Sequence, residues 1–348
     1  MLLSARERLY EELERKIGRT PLVRYVGEVA NGNRIWIKRE CDNPFGSHYD
    51  RVYIALFRHY EELDKIKPGD KVLETTSGAA GVSFAGLGKI LGYDCYVALP
   101  AGGEKAREKA ILQQLKDESH LTLTPAEKYI AGFPEYLRKF LAEHKDYFFL
   151  NHSMGSWNPK TREYNNNEVT LKALEAISKE VACIVVPDYF VPAVGNGSSM
   201  LGVGRALDRK TKIVAFETFQ SAVMYSLLYP GEYEKKFGIK PGTLSRHKLP
   251  GTSYPGIAFP HIKNAVREGL VNKVVLVSDK SMDAEYEKLT GRKDTVSLPH
   301  WDRPDLVGVE DLGRSTRAGI AVALDLAKTV KDKDILVIAY DKAERYDD

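Results

Sequence analysis

A glycine-rich segment in the second half of the chain has the composition of an anion-binding loop. It lies between an apolar run that ends near Pro187 and a helical pattern through Leu207. Small residues let the backbone approach an anion closely, and the free amides at a helix start point at it with the helix dipole behind them. The segment alone fits a phosphate cup and a plain glycine turn equally well. The candidate phosphate ligands are Gly195, Asn196, Gly197, Ser198 and Ser199.

A second segment of this kind, ETTSGAAG at residues 74–81, also joins an apolar run to a helical pattern. It places hydroxyls and free amides at a helix N-terminus, an arrangement that would hold a carboxylate. Taken by itself, the segment is explained more simply by Ser77 capping its helix. The candidate substrate-carboxylate ligands are Thr76, Ser77, Gly78 and Ala79.

Apolar runs alternate with amphipathic helical patterns along most of the chain, which predicts an α/β fold with mostly parallel sheets covered on both faces. Neither glycine-rich segment matches a Walker A loop or a GxGxxG fingerprint, so nucleotide cofactors are disfavoured. The predicted strands are residues 71–74, 93–99, 183–187, 212–217 and 273–278. The polar stretch 157–167 is expected to cross between two sheets.

The composition restricts the partners and the compartment. The 348 residues carry 51 Lys and Arg against 48 Asp and Glu, interspersed along the chain, so neither a nucleic acid nor an anionic membrane is expected as a partner. Three cysteines without a CxxC pair argue against disulfides and a thiolate metal site, and no histidine spacing predicts a catalytic metal. Without an apolar leader or a membrane-length apolar run, the expected location is the cytoplasm.

Six segments, in order along the chain, resemble the cysteine synthase and tryptophan synthase β family, the fold type II enzymes that depend on pyridoxal phosphate (PLP). IGRTPLVRY resembles the opening G-x-T-P-L segment, and IWIKRECDNPFGSHYDR resembles the K-x-E-x-x-N-P-x-G-S-x-K-D-R block. TTSGAAG resembles the loop for the substrate carboxylate, GNGSS the phosphate cup, and HKLPG the H-K-I-x-G segment. LGRSTRAGIAVAL resembles the closing helix, whose first serine, here Ser315, faces the pyridine nitrogen.

The sequence departs from this family around the reacting centre. The resemblance places the lysine that carries the cofactor at position 49, where this chain has Tyr49. In the carboxylate loop, Ala79 and Ala80 replace an asparagine and a threonine, and His152 stands where a glutamine is expected. In that family the lysine holds PLP as a Schiff base and moves the substrate Cα proton. A phenol cannot form an imine, and with an ordinary pKa of about 10 it is a poor base.

Three interpretations stay open. In the first, the protein is an enzyme of small amino-acid metabolism, of lyase or transferase ancestry, that holds PLP without a covalent bond through Tyr49 or acts on a phosphorylated small molecule. In the second, it is a catalytically silent member that binds a ligand or a partner enzyme. In the third, another lysine tethers PLP, with Lys248 the nearest candidate by motif. The candidate catalytic residues are Tyr49 and His152. His152 would either pair as an imidazolium with an anionic group or act as a base in its neutral form.

Several further expectations follow. His48 is either a structural residue or a neighbour that tunes the phenol of Tyr49, and Asp50 is expected to pair with Arg51. The resemblance implies a smaller domain over residues 46–155, a larger one from residues 1–45 and 156–348, and the site in the cleft between them. It also implies a homodimer.

Overall fold

The computed structural model describes residues 4–347, and it confirms the predicted α/β fold with mostly parallel sheets. The larger sheet has six strands in the order β1-β2-β12-β9-β10-β11, of which only β1 runs antiparallel to its neighbour. Its strands are β1 (Leu22–Arg24), β2 (Arg34–Lys38), β9 (Tyr189–Val191), β10 (Lys212–Thr218), β11 (Lys273–Val277) and β12 (Asp334–Ile338).

The smaller sheet is wholly parallel, in the order β5-β4-β3-β6. Its strands are β3 (Lys71–Thr75), β4 (Asp94–Pro100), β5 (Leu121–Thr124) and β6 (Tyr147–Phe149). A separate antiparallel hairpin, formed by β7 (Trp157–Asn158) and β8 (Glu163–Tyr164), follows this sheet in the chain. The polar stretch 157–167 therefore lies between the last strand of one sheet and the later strands of the other.

Helices cover both sheets, because parallel strands need crossover connections. They are α1 (Ala5–Lys16), α2 (Tyr49–Glu62), α3 (Ala79–Leu91), α4 (Lys105–Leu112), α5 (Phe133–Glu143), α6 (Glu168–Ala182), α7 (Ser198–Ala206), α8 (Val223–Leu228), α9 (Glu232–Phe237), α10 (Pro260–Arg267), α11 (Lys280–Thr290) and α12 (Arg314–Ala327). Short 3₁₀ helices occupy Ala30–Gly32, Glu40–Asp42, Glu118–His120, Tyr129–Gly132, Asp294–Ser297 and Ala343–Arg345.

Two helices that carry site residues are placed by apolar packing. The side chains of Val52, Tyr53, Leu56 and Phe57 on α2 are at most 1% exposed, and they pack with α3 in one core cluster. A Cβ at Gly86 of α3 would stand 2.1 Å from the ring of Phe45, so the glycine permits the close approach of the segment that leads into α2. The segment that leads into α2 is thereby held against the middle of α3.

The strand predicted at residues 183–187 is wrong. Helix α6 continues to Ala182, and the following Ile184 and Val186 are 61% and 59% exposed. The strand that enters the sheet is β9, Tyr189–Val191, where Phe190 and Val191 are fully buried. Hydrophobicity alone cannot distinguish an apolar segment on the surface from one in the sheet, which explains the shift.

Candidate active site

A cavity of about 840 Å³ contains most of the residues singled out from the sequence. It opens where β3 of the smaller sheet ends and where the chain leaves β9 of the larger one, the carboxyl ends at which open α/β sheets bind ligands. The predicted residues that line it are Tyr49, Thr76, Ser77, Ala79, His152, Gly195, Asn196, Ser199 and Ser315. Gly78, Gly197 and Ser198 lie within the same loops but are not part of the cavity wall.

The predicted phosphate cup has a backbone that only glycine can supply at two positions. Gly197 precedes the first residue of α7 with φ 88°, and a Cβ there would stand 2.8 Å from the amide nitrogen of Ile262. A Cβ at Gly195 would stand 2.3 Å from the carbonyl oxygen of Gly251. The two glycines therefore let the loop fold tightly against both neighbouring segments.

The cup also holds an unsatisfied donor. The Oγ of Ser198 is buried, in a residue 1% exposed, and it has no hydrogen-bond partner among residues 4–347. Its own amide donates to the side-chain oxygen of Asn196 at 2.9 Å. Buried hydroxyls are nearly always hydrogen-bonded in native proteins, so Ser198 is an exception, and it lies behind the cavity wall that Gly195, Asn196 and Ser199 of the same loop line.

The second loop forms a helix start without a side-chain cap. The residue before α3 is Gly78, with φ 153°, and no side chain accepts a hydrogen bond from the first amides of the helix. The simpler interpretation, that Ser77 caps this helix, is therefore wrong. Thr76 instead stabilises the turn, because its Oγ1 accepts a hydrogen bond from the Gly78 amide at 2.9 Å. The amides of Ala79 and Ala80 stay available for an anionic group in the cavity, which both residues line.

Tyr49 is the first residue of α2, and its ring lines the cavity. Its phenol oxygen has no hydrogen-bond partner among the described residues of the chain, while its amide donates to Ser47 Oγ at 3.2 Å. Burial, with smaller contributions from Tyr340 and Glu74, raises the pKa of Tyr49 above its ordinary value. The phenol therefore stays protonated at neutral pH and can donate a hydrogen bond or a proton, but it cannot act as a base.

His152 is held from one side by a carboxylate. Its Nδ1 lies 3.2 Å from Glu74 Oε2 and 3.0 Å from the hydroxyl of Tyr53. Glu74 is fully buried, and it also accepts from the amides of His152, at 3.1 Å, and Thr75, at 2.9 Å. Nothing among residues 4–347 bonds the His152 Nε2, and the residue lines the cavity. The hydrogen bond at Nδ1 is with the Tyr53 hydroxyl, and the Glu74 carboxylate lies beside it; when Nδ1 carries the proton, Nε2 is a free acceptor.

His48 packs directly on Tyr49, although residues adjacent in a chain often point apart. The two ring centroids are 4.1 Å apart, and the ring of Tyr340 meets His48 at 5.4 Å. Burial lowers the pKa of His48 to about 4, and its Nδ1 has no partner in the described part of the chain. His48 is therefore a neutral, buried neighbour of the phenol.

Sequence analysis missed a charged pair at the far wall of the cavity. Arg107 of α4 donates to Asp341 at 2.7 Å, and both are almost fully buried. Its side chain also fills the space beside Gly78, where a Cβ would stand 2.4 Å from the arginine Cδ. The hydroxyl of Tyr346 donates to the same carboxylate at 2.9 Å. Glu74 was missed as well, although an acidic residue within an apolar strand was a usable signal.

The expected pairing of Asp50 with Arg51 is wrong. Asp50 does not pair with Arg51: it accepts from Ser83 at 2.6 Å and from the Phe45 amide at 2.7 Å. Arg51 instead pairs with Glu40 and Glu180, each at 2.7 Å. Successive residues on a helix diverge by about 100°, so adjacent side chains seldom meet.

Lys248 is not placed to carry a cofactor. Its side chain is exposed, and it does not line the cavity; its carbonyl oxygen accepts from Arg314 at 3.3 Å. Lys263 of α10 is the one lysine of the described chain that lines the cavity, and its Nζ is engaged by Glu163 at 3.0 Å. Within residues 4–347, no cluster of three or more His, Cys, Asp or Glu could hold a metal ion, and no helix has the length and hydropathy to cross a bilayer.

Sequence comparison relates the chain to known proteins. A sequence model of the family described as "Pyridoxal-phosphate dependent enzyme" matches residues 13–299. A cysteine synthase of Staphylococcus aureus is 30% identical over 236 residues, which cover 66% of this chain and 72% of the relative. A probable cysteine synthase of Bacillus subtilis is 26% identical over 95% of this chain and 94% of its own.

Solved structures show the same fold. The cysteine synthase of Entamoeba histolytica matches with a TM-score of 0.71 at 24% identity, covering 99% of this chain and 91% of that one. An O-ureido-L-serine synthase matches with a TM-score of 0.72 at 20% identity, covering 96% of this chain and 92% of that one. The resemblance inferred from the six motifs is thus confirmed, and the chain belongs to the family of pyridoxal-phosphate dependent enzymes related to cysteine synthase.

Proposed function

We propose that the protein is an enzyme of small amino-acid metabolism that holds PLP, or a phosphorylated substrate, without a lysine tether. The observation that carries this proposal is the contact of Glu74 with Nδ1 of His152 at the cavity wall. A buried carboxylate on one ring nitrogen, with the other nitrogen facing a cavity, is the arrangement of a general base.

The two candidate catalytic residues divide the proton transfers between them. His152 accepts a proton from the substrate at Nε2, and Glu74 stabilises the imidazolium that forms. Tyr49 keeps its proton, because burial raises its pKa, and donates that proton or a hydrogen bond to a group that gains negative charge. This pair takes over the two roles that a single lysine has in relatives of this family, as the resemblance implies them.

The residues present fit the phosphate end of PLP and not a covalent tether. Gly195, Asn196 and Ser199, which line the cavity at the start of α7, would hold the phosphate, and Ser315 would face the ring nitrogen, as the resemblance implies. When bound, PLP supplies an electron sink for the carbon that loses a proton. Retention of the cofactor then depends on these non-covalent contacts, with the substrate carboxylate held by the amides at the start of α3.

The larger organisation belongs to the same proposal. We propose domains at residues 46–155 and at residues 1–45 with 156–348, supported by the division of the strands into two sheets. We further propose a homodimer in a reducing cytoplasm. The three cysteines, Cys41, Cys95 and Cys183, are unpaired in the monomer, as that compartment requires.

The test of the proposal begins with the cofactor. PLP is titrated into the purified protein by absorption spectroscopy, and the complex is then either dialysed or treated with borohydride and analysed by mass spectrometry. We expect saturable binding, loss of PLP on dialysis and no pyridoxyl-lysine. A pyridoxyl adduct on Lys263 or any other lysine would contradict untethered binding.

The second part of the test is turnover in amino-acid elimination, replacement and phosphate-ester assays. Substitution His152→Gln should lower kcat by about 10² to 10⁴, the contribution of a positioned base. Glu74→Gln should lower kcat less and should shift the pH profile of kcat, because it changes the group that orients the imidazole. If no assay detects turnover, and ligands bind wild type and Tyr49→Phe equally, the protein is a catalytically silent binder and the enzymatic proposal fails.

A further inference from the structure

The mouth of the cavity is formed by three elements: helix α5, the hairpin β7–β8 and helix α10. None of the residues of α5 is fully buried, yet Phe133, Leu137 and Leu141 on one face of that helix line the cavity. On the hairpin, Trp157 and Tyr164 also line the cavity and are 51% and 45% exposed. Apolar side chains that stay exposed at the opening of a concave site are typical of a binding surface.

The hairpin is held in place by ion pairs and by its aromatic rings. Glu163 accepts from Lys263 Nζ at 3.0 Å and from Arg267 at 2.7 Å, both on α10. Trp157 and Tyr164 are paired across the two strands, with ring centroids 5.0 Å apart and planes at 67°. The aromatic pair is therefore a fixed part of the mouth.

The charge at the mouth is unbalanced. Four cationic side chains, Arg138, Arg162, Lys263 and Arg267, line the cavity there; of the carboxylates that line it within residues 4–347, Glu163 pairs with two of these cations and Asp341 pairs with Arg107. The guanidinium groups of Arg138 and Arg162 are exposed and have no ion-pair partner within residues 4–347. The whole chain has a formal net charge of only +3, so this excess is local. A cleft lined by one sign of charge attracts ligands of the opposite sign.

We propose that the mouth is a second subsite, which binds an anionic group, carboxylate or phosphate, carried on an aromatic or apolar part of the substrate. The ring or chain packs on Trp157, Tyr164 and Leu137, and the anion is bound by Arg138 and Arg162, whose planar guanidinium groups suit either oxyanion. The reactive end of the same molecule would lie at Tyr49 and His152; this part of the inference rests on the proposed function. The substrate class is then an amino acid with an extended, anionic side chain.

Isothermal titration calorimetry with four small probes tests the subsite without any need for turnover. Phenyl phosphate and benzoate carry both features, whereas phenol lacks the anion and methyl phosphate lacks the ring. We expect at least one of the first two to bind at least tenfold more tightly than phenol and methyl phosphate, and its affinity to fall with added salt. The tighter of the two shows whether phosphate or carboxylate is preferred.

Variants locate the binding. The double substitution Arg138→Gln with Arg162→Gln should weaken the tighter probe at least tenfold, whereas Arg209→Gln, an exposed arginine outside the cavity, should leave its affinity unchanged. Trp157→Phe should abolish the change in tryptophan fluorescence that accompanies binding. An unchanged affinity in the double variant, or no binding of either ring-bearing anion, would overturn the subsite. A protein that binds these probes at the mouth but turns over no substrate would retain the subsite and lose the proposed function.

Discussion

The imidazole of His152 meets the phenol ring of Tyr49 edge-on, with ring centroids 5.2 Å apart and planes at 85°. Tyr49 comes from the first turn of α2, and His152 follows β6, which pairs with β3 in the smaller sheet. The same pairing brings Glu74, on β3, to the Nδ1 of His152. The register of β6 against β3 therefore brings the carboxylate to the imidazole, and α2 places the phenol beside that imidazole at the cavity wall.

Replacement of Tyr49 by phenylalanine removes a proton donor and little volume. We expect kcat to fall at least about tenfold with little change in KM, the pattern of an interaction lost in the transition state. Steady-state kinetics in the assay that shows turnover measures both constants. Tyr60→Phe is the matched control, because Tyr60 lies on the same helix and does not line the cavity. Equal loss in both variants would point to a defect of α2 rather than of the phenol.

Replacement of Ser199 by alanine should weaken PLP binding about ten- to a hundredfold, since a hydrogen bond to a charged group contributes about 1.5 to 3 kcal/mol. Ser199 is the serine of the predicted phosphate cup that lines the cavity. Titration with PLP measures the affinity, and Ser245→Ala, at an exposed serine outside the cavity, is the control. Undiminished affinity in Ser199→Ala would show that the phosphate binds elsewhere.

Arg51 is expected to be important for stability. It pairs at 2.7 Å with Glu40, which is fully buried, and Arg51→Met would leave that carboxylate without its counter-charge. Loss of one partner of a buried ion pair costs about 3 to 5 kcal/mol. Urea unfolding at pH 7 measures the loss, with the exposed pair of Arg15 and Glu11 as control, where Arg15→Met should cost less than about 1 kcal/mol. A similar loss of unfolding free energy in Arg51→Met and Arg15→Met would contradict this prediction.

Three buried histidines should each contribute less to stability below pH 6.5. Burial lowers the pKa of His48 and His247 to about 4 and that of His261 to about 3, from an ordinary 6.5. These histidines bind protons in the unfolded chain first, so stability that is present above pH 6.5 is lost as the pH falls toward 4. Asp50 acts in the opposite direction. Burial raises its pKa to about 7, so in the folded state it keeps its proton up to about that pH, and its contribution to stability decreases as the pH rises from 4 to 7.

Three buried carboxyls with raised pKa values, Asp50, Glu217 and Asp341, oppose the three histidines, so the contribution of one histidine is measured as a difference between variants. Each proton of difference between the unfolded and folded states changes the free energy of unfolding by about 1.4 kcal/mol per pH unit. Urea midpoints at pH 8, 6.5 and 5 are compared for wild type and His247→Gln. Wild type should lose more stability than His247→Gln between pH 6.5 and pH 5, and an equal change in the two proteins would contradict the prediction.

Much of the fold and several site residues were predictable from local pattern. Alternating apolar runs and helical patterns predicted β3, β4, β10 and β11 close to their observed bounds, because burial on both faces selects short apolar strands. The glycine loops were predictable from sequence because only glycine allows such a close backbone approach. A Cβ at Gly195, for example, would stand 2.3 Å from the carbonyl oxygen of Gly251. The strand prediction at residues 183–187 failed because the exposed segment with Ile184 and Val186 has the apolar content of a buried strand.

The sequence by itself determined the family, and it predicted two candidate anion-binding loops and Tyr49 at the position where the resemblance implies a lysine, since each depends on residue type at a known position in a motif. Only the tertiary structure decided which charges meet. Glu74 reaches His152, Arg51 reaches Glu40 and Glu180, and Arg107 reaches Asp341 through contacts between segments far apart in the chain. A side chain's partner, and hence its protonation, depends on strand register and helix rotation, which residue order does not specify locally.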